Sequence, residues 1–277
     1  MRFFDFMKQE SVLSSITLEQ TDQVLIATLS RGKANAMNHE MFCEISELLD
    51  RVESEPQIGA LLFASSQRRF FSPGLDIAEV FEYDRDQMTS FFTLFLTTIS
   101  RLTHVSKPTV VAIGGHAYAG GAILAAACDF RVMARGSYGF ALNEINLGFA
   151  IPGSIHRMVE HAIGGVTARR LFLTGDAVTP DQAFQFGIAT ELVDADDLQP
   201  TAMKLATLLA DKEPVAYQQI KSDLGSASPK PDRSALENEV IQFVDQWFSP
   251  AAEAKKLKLI ALMRGRLKKS TERDRGS

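Results

Sequence analysis

The stretch that decides the fold is TVVAIGGHAYAGGAILAAACD, residues 109–129. It begins with a β-branched run at 110–113, which predicts a buried strand. Two glycine pairs, Gly114-Gly115 and Gly120-Gly121, bracket the loop that follows, and the small apolar residues after them predict a tightly packed helix. Such a loop can present backbone N–H groups to a ligand, because glycine allows close approach and the first helical N–H groups lack partners. We therefore predict an oxyanion-binding site here.

The composition indicates a globular protein with one large domain, or with one domain and a smaller appendage. The chain has 277 residues, of which 45% are hydrophobic and 23% charged. The net charge of −5 gives no general attraction to nucleic acid or to an anionic membrane. Two cysteines without metal-type spacing, no signal peptide and no apolar run near the roughly 20 residues that span a bilayer predict a cytoplasmic protein.

The elements on either side of the opening stretch predict an α/β core. Strands are predicted at 24–29 and 58–64, and a helix capped by Asn38 lies between them as a βαβ unit. Asp76 and Glu79 predict a capping box, and an amphipathic helix follows at 87–102. Further strands are predicted at 130–134 and 189–193, with Ser154 capping a helix between them. After about residue 195 only helices are predicted, so we divide the chain into a core at 1–197 and a helical C-terminal region at 198–277.

Two glycine loops share one pattern. Ser72-Pro73-Gly74-Leu75-Asp76 and Ala119-Gly120-Gly121 each follow a strand and open a helix. One N–H donor from each loop can converge on a single oxygen atom and stabilise negative charge there. The alternative is that both loops are ordinary strand-to-helix turns.

Together the two loops resemble those of the crotonase family, also called the enoyl-CoA hydratase/isomerase superfamily. The resemblance covers residues 24–193 and makes Leu75 and Gly120 the two N–H donors. It implies an α/β fold built as a spiral of ββα turns, with a helical C-terminal region that forms trimers, often paired as hexamers. It also implies an acyl-CoA thioester as substrate, with no cofactor besides the CoA that the substrate carries.

The resemblance further implies contacts with the substrate. Lys33 and Ala34 resemble the segment that lies along the CoA pantetheine, although the spacing is one residue shorter than in the hydratases. Tyr118 and Asn143 can line the pocket, or they can satisfy backbone groups. The lysines at 255, 256 and 258 lie on the family's last helix, where a solvated helix face is the alternative. The predicted substrate or CoA contacts are Lys33, Ala34, Ser72, Pro73, Gly74, Tyr118, Gly121 and Asn143.

The predicted catalytic acid–base residue is Glu144. The hydratases of the family carry two glutamates, and this chain has Ile123 at the first place and Glu144 at the second. Water addition needs one group to activate water and another to deliver a proton, whereas one carboxylate can move a proton between two carbons. The Asn143-Glu144 pair resembles the 3,2-enoyl-CoA isomerases, so we expect Glu144, Leu75 and Gly120 to catalyse a double-bond shift.

Other functions remain as alternatives at this point. A hydratase-like or hydrolase reaction of the same family would use Glu144 to activate water. A CoA-binding subunit with little activity would need no second carboxylate at position 123. Glu144 can also be a strand-end carboxylate in an ion pair.

Overall fold

The strands of two β-sheets alternate in the order of the chain. This computed structural model describes residues 11–225 and 232–258. The larger sheet contains β1, β2, β3, β4, β6, β8 and β10 in that order, and the smaller contains β5, β7 and β9. In chain order the strands are β1 Ser11–Val12, β2 Ile16–Thr21, β3 Val24–Leu29, β4 Ala60–Ser65, β5 Phe70–Ser72, β6 Thr109–Ile113, β7 His116–Tyr118, β8 Phe130–Ala134, β9 Phe140–Ala141 and β10 Glu191–Val193.

The strand pairing confirms the predicted spiral. β1, β2 and β3 pair antiparallel, and the pairs that follow in the larger sheet are parallel. A parallel pair needs a crossover connection. The β3–β4 crossover consists of α1 alone, whereas each later crossover adds one strand to the smaller sheet and then a helical segment. Thus β4 is followed by β5, β6 by β7 and β8 by β9, and helices lead back to the larger sheet each time. This arrangement is the predicted α/β fold of ββα turns.

Helices fill the crossovers and form most of the C-terminal part. Within the described residues, none of them is both long and apolar enough to cross a bilayer. They are α1 His39–Ser54, α2 Ile77–Val80, α3 Arg85–His104, α4 Gly120–Ala127, α5 Glu144–Leu147, α6 Gly153–Ile163, α7 Gly165–Thr174, α8 Pro180–Gln185, α9 Leu198–Ala210, α10 Pro214–Gly225 and α11 Arg233–Trp247, and residues 250–258 are also helical.

Most predicted elements lie within a few residues of their predicted ends, but one predicted capping box is incomplete and one predicted helix cap is wrong. Asp76 caps α2 by accepting from Ala78 N, but the Glu79 carboxylate binds Arg31 and Asn38 and leaves the capping box incomplete. Ser154 lies inside the first turn of α6, where its backbone N–H donates to Glu239. Both errors have one cause: a tertiary partner competes for a side chain that local pattern assigns to the helix end.

Both faces of the larger sheet are buried. Successive strand residues point to opposite faces, so Leu61 and Phe63 join one core while Ala60 and Leu62 join another. The second core is covered by α9, whose apolar residues recur at helical spacing. α9 therefore shares a core with the strands, although the predicted division at 197/198 assigns it to the C-terminal region.

One buried cation holds several crossovers together. The Arg131 side chain on β8 is almost fully buried, and it donates to the carbonyls of Cys128, Ile188 and Ala162 at 2.6, 2.6 and 3.3 Å. These carbonyls lie just after α4, before β10 and on α6. A single guanidinium thus joins three segments, because its fork of N–H groups can satisfy several carbonyls at once.

We expect Arg131→Met to lower the free energy of unfolding by about 2–4 kcal/mol, because it leaves buried carbonyls without donors. Arg135 lies four residues further along the chain with a half-exposed side chain, so Arg135→Met is the matched control and should change the value by less than about 0.5 kcal/mol. Urea denaturation followed by circular dichroism measures both. Equal effects of the two substitutions would contradict the anchoring role of Arg131.

Candidate active site

The first glycine loop frees the N–H of Leu75. Met37 N donates to the Gly74 carbonyl at 2.8 Å, and Asp76 N donates to the Met37 carbonyl at 2.7 Å. This parallel bridge uses the backbone groups on either side of Leu75, so its own N–H points the other way. Among the described residues, the Leu75 N–H has no acceptor. The loop turns at Gly74, whose φ of +98° is a conformation that glycine adopts without strain.

The second loop frees the N–H of Gly120. Ala119 precedes α4 with a φ of +47°, which residues with a side chain rarely adopt. Its backbone is held on both sides, since Ala119 N donates to the Ala141 carbonyl and its own carbonyl accepts from Ile123 N, both at 2.9 Å. Gly120 is the first residue of α4, and first-turn N–H groups have no partner within a helix. A Cβ added to Gly120 would lie 3.7 Å from Leu75 N, so the two donors are neighbours.

The two loops touch through their backbones. A Cβ on Gly121 would lie 2.4 Å from the Ser72 carbonyl oxygen, and one on Gly74 would lie 2.9 Å from Gly120 N. Ser72 is fully buried; its hydroxyl donates to the Asn35 carbonyl at 2.7 Å and accepts from Gly74 N at 3.2 Å. Ser72 and Gly121 therefore lie behind the donors and support them, and their predicted contact with substrate finds no support in this geometry.

Glu144 is a half-buried residue whose carboxyl group has one buried oxygen without a partner among the described residues. It begins α5, directly after Asn143, and among the described residues its Oε2 atom is buried with no hydrogen-bond partner. Burial raises the pKa of Glu144 from about 4.5 to about 7. A carboxyl group with a pKa near neutrality can both accept and return a proton at physiological pH. The alternative of an ion-paired Glu144 is wrong within the described part of the chain.

A cavity of about 130 Å³ brings the predicted residues together. Leu75, Gly120 and Glu144 line it, with Pro73 and Asn143 beside them. Glu144 is the one titratable side chain among the described residues of the lining. The rest of the wall is mainly apolar and aromatic, and its largest members are Ile77, Phe92, Phe95, Ile123, Phe149, Phe243 and Trp247.

Other predicted contacts lie away from this cavity. The Tyr118 hydroxyl donates to His116 Nδ1 at 2.7 Å, and Gly139 N donates to the same atom at 3.0 Å. Tyr118 is thus bound to its own sheet and does not line the cavity. Lys33 is exposed and Ala34 half-buried on the turn that precedes α1. Their contact with the CoA pantetheine remains a prediction.

Sequence reasoning missed the aromatic wall that α11 provides. Phe243 and Trp247 lie one helical turn apart, and they reach the cavity with Phe149. Their spacing is also that of an ordinary core face, so only the tertiary packing reveals their position. Lys256, expected on a solvated face, is 5% exposed: its Nζ binds Glu253 Oε1 at 2.7 Å and lies 4.5 Å from the centre of the Trp247 ring. The resemblance aligns Met263, with Arg264 next to it, with the lysine that the family usually carries near the end of this helix, and both residues lie outside the described part of the chain.

The spiral of ββα turns and the paired glycine loops define a protein of the crotonase fold. The family model described as enoyl-CoA hydratase/isomerase matches residues 19–256. The chain belongs to the enoyl-CoA hydratase/isomerase family of enzymes, whose substrates are acyl-CoA thioesters.

Named relatives are similar over most of the chain. A probable enoyl-CoA hydratase of Mycobacterium tuberculosis is 32% identical over 215 residues, which cover 77% of this chain and 82% of the relative. A short-chain-enoyl-CoA hydratase of Clostridium acetobutylicum is 27% identical, covering 74% and 79%. The fold is similar to that of the human mitochondrial delta3-delta2-enoyl-CoA isomerase, with a TM-score of 0.87, 22% identity and coverage of 91% and 99%.

We expect Gly121→Ala to destabilise the protein much more than Gly120→Ala. The Gly121 methyl would meet a backbone carbonyl at 2.4 Å, so the two loops must separate, whereas the Gly120 methyl makes only ordinary contacts from 3.5 Å outward. The predicted losses in the free energy of unfolding are at least about 2 kcal/mol for Gly121→Ala and at most about 1 kcal/mol for Gly120→Ala. Denaturant titration measures both, and equal losses would contradict the backbone contact between the loops.

Proposed function

We propose that the protein is an enoyl-CoA isomerase, which moves the 3,4 double bond of an acyl-CoA to the 2-trans position. The observation that carries the proposal is the single titratable side chain among the described residues of the cavity wall, Glu144. Ile123 supplies an apolar surface where the hydratases of the family carry their other glutamate. One carboxyl group suffices to move a proton from one carbon to another. Water addition uses a second acid–base group, and the described residues of this cavity wall do not supply one.

The proposed mechanism uses the three catalytic residues in sequence. The Glu144 carboxylate takes a proton from the carbon next to the thioester, and the electron pair moves onto the thioester oxygen to give a dienolate. The N–H groups of Leu75 and Gly120 donate to this oxygen and stabilise its charge. Glu144 then returns the proton two carbons further along the chain, so the product has the same atoms as the substrate. Donors that are fixed beforehand are effective here, and losing one typically costs about 10²–10³-fold in rate.

Enoyl-CoA hydration is the second candidate, because the curated relatives described above are named as hydratases. In that reaction Glu144 would have to activate the water and also deliver the proton. The two candidates differ in substrate: an isomerase acts on 3-enoyl-CoA, whereas a hydratase consumes 2-enoyl-CoA.

We also propose the assembly and setting that the family resemblance implies. The reaction only moves a proton, so it needs no cofactor besides the CoA of the substrate. The exposed apolar residues Ile145 and Leu173 line one surface groove and suit burial in a homotrimer or homohexamer. Light scattering of the purified protein tests the assembly. A cytoplasmic location remains a prediction.

We expect Glu144→Gln to lower the isomerisation rate by about 10²–10⁴-fold, because the amide cannot carry the proton. The assay follows the ultraviolet absorbance of the conjugated 2-enoyl thioester that forms from 3-enoyl-CoA. Glu160→Gln, which alters an exposed carboxylate on α6, is the control and should keep the rate. An unchanged rate in Glu144→Gln would show that Glu144 is not the base. Wild-type hydration of 2-enoyl-CoA as fast as isomerisation would favour the second candidate.

We expect kcat/KM to fall tenfold per pH unit below about pH 7 and to level off above it. The base must be ionised in the free enzyme, and burial places the pKa of Glu144 at about 7. An exposed glutamate would give the same profile about 2.5 units lower. Initial rates between pH 5 and 9 measure the profile, and a kcat/KM that stays nearly level down to pH 5 would contradict the burial of Glu144 in the working enzyme.

A further inference from the structure

We propose that the protein is selective for short acyl chains, of about four to six carbons, because the aromatic residues of α11 limit the cavity. The proposal rests on the proposed function in assigning the cavity to the acyl group. It does not depend on whether the reaction is isomerisation or hydration. Phe243 and Trp247 are the residues that set the limit.

The size of the cavity gives the first argument. Its volume is about 130 Å³, and both donor residues and Glu144 line this same space. The thioester carbonyl and the reacting carbons must therefore share it with the rest of the acyl chain. An apolar cavity of about 150 Å³ in another protein holds one benzene molecule, so about six carbons fill a space of this size.

The aromatic wall is closed by ring stacking. The centre of the Phe243 ring lies 3.6 Å from the centre of the Phe92 ring on α3, and the angle between the two ring planes is 6°. The Trp247 ring lies 4.7 Å from the Phe149 ring, at 25°. Rings in such contact leave no gap for an alkyl chain between Phe92 and Phe243 or between Phe149 and Trp247.

A charged group lies on the other side of the wall. Lys256 Nζ is 4.5 Å from the centre of the Trp247 ring and 2.7 Å from Glu253 Oε1, and Lys256 is itself buried. A longer chain that pushed past Trp247 would meet this ammonium group, and an alkyl chain cannot replace its interactions. The polar interactions of Lys256 thus oppose any displacement of the wall by a longer acyl chain.

Polar contacts also hold α11 in place. Glu239 accepts from Ser154 N at 2.8 Å, and Gln246 Oε1 accepts from Ala150 N at 3.1 Å. Arg85 of α3 pairs with Asp245 at 2.6 Å. These contacts lie between Glu239 and Gln246 of α11, on either side of Phe243, so this part of the helix cannot move away from the cavity without breaking several of them.

The test measures binding of saturated acyl-CoAs, from butanoyl to dodecanoyl, by isothermal titration calorimetry. A saturated chain is neither isomerised nor hydrated, so the result can be read even if the proposed isomerisation proves wrong. For the wild type we expect affinity to rise from CoA to hexanoyl-CoA, and to rise no further, or to fall, from octanoyl-CoA onward. Each methylene group that finds apolar space should add about fourfold in affinity.

Variants of Trp247 and Phe243 test whether the aromatic wall itself limits the length of the acyl chain. Trp247→Ala and Phe243→Ala open the cavity, so each should raise the affinity for octanoyl-CoA or decanoyl-CoA relative to butanoyl-CoA by tenfold or more. Trp247→Phe is the matched control: it keeps an aromatic ring, removes the indole N–H and should keep the wild-type preference. If the alanine variants do not fold, Trp247→Leu and the wild-type series still test the proposal.

Two results would overturn the proposal. One is a wild-type affinity that keeps rising about fourfold per methylene group through dodecanoyl-CoA, which would mean that the wall opens. The other is an affinity for hexanoyl-CoA no higher than for CoA alone, which would mean that the cavity does not hold the acyl group.

Discussion

The backbone contact between the two glycine loops is the constraint on which the site depends. Leu75 N and Gly120 N can point at one oxygen only if the loops approach more closely than side chains allow. Gly121 meets this need, because even one methyl group there would lie 2.4 Å from the Ser72 carbonyl. The ββα spiral brings the loops to this distance: β5 and β7 pair in parallel, and each loop leaves the end of one of these strands.

The buried ionisable groups of the described chain differ in whether their polar atoms have hydrogen-bond partners. Arg131 donates to carbonyls at 2.6 Å, Lys256 pairs with Glu253, and Glu44 accepts from Ser14 and Ser15. Glu144 has one buried oxygen with no partner, and its pKa rises to about 7. A buried carboxyl group without partners lowers the stability of the folded protein, so its presence in a cavity is more typical of a functional site than of a structural one.

The sequence predicted those parts of the fold and site that local pattern determines. The β-branched run before Gly114 became β6, and Asn38 caps α1 by accepting from Met41 N at 3.1 Å. Motif spacing also singled out Leu75, Gly120 and Glu144, which line one cavity, and their catalytic roles remain a prediction. The short strands β5 and β7 were missed, since three residues give no period to read. Phe243 and Trp247 were missed for another reason: long-range packing alone brings α11 to a cavity whose other lining residues, Pro73 to Pro152, lie far earlier in the chain.

The same wall bears on the choice between isomerisation and hydration. Water addition needs room for an ordered water molecule beside the double bond and polar groups to hold it. A short acyl chain would fill most of a cavity of about 130 Å³, and among the described residues of its wall only Asn143, Glu144 and the Trp247 indole offer polar side-chain groups to such a water. The exclusion of water also strengthens the two N–H donors, since charge interactions grow in a low-dielectric space. A cavity filled by a short acyl chain would thus favour a proton that leaves and returns on one carboxyl group over one that comes from solvent. The two proposals thus depend on the same apolar packing, which limits the acyl chain in one and leaves Glu144 as the one titratable side chain among the described residues of the wall in the other.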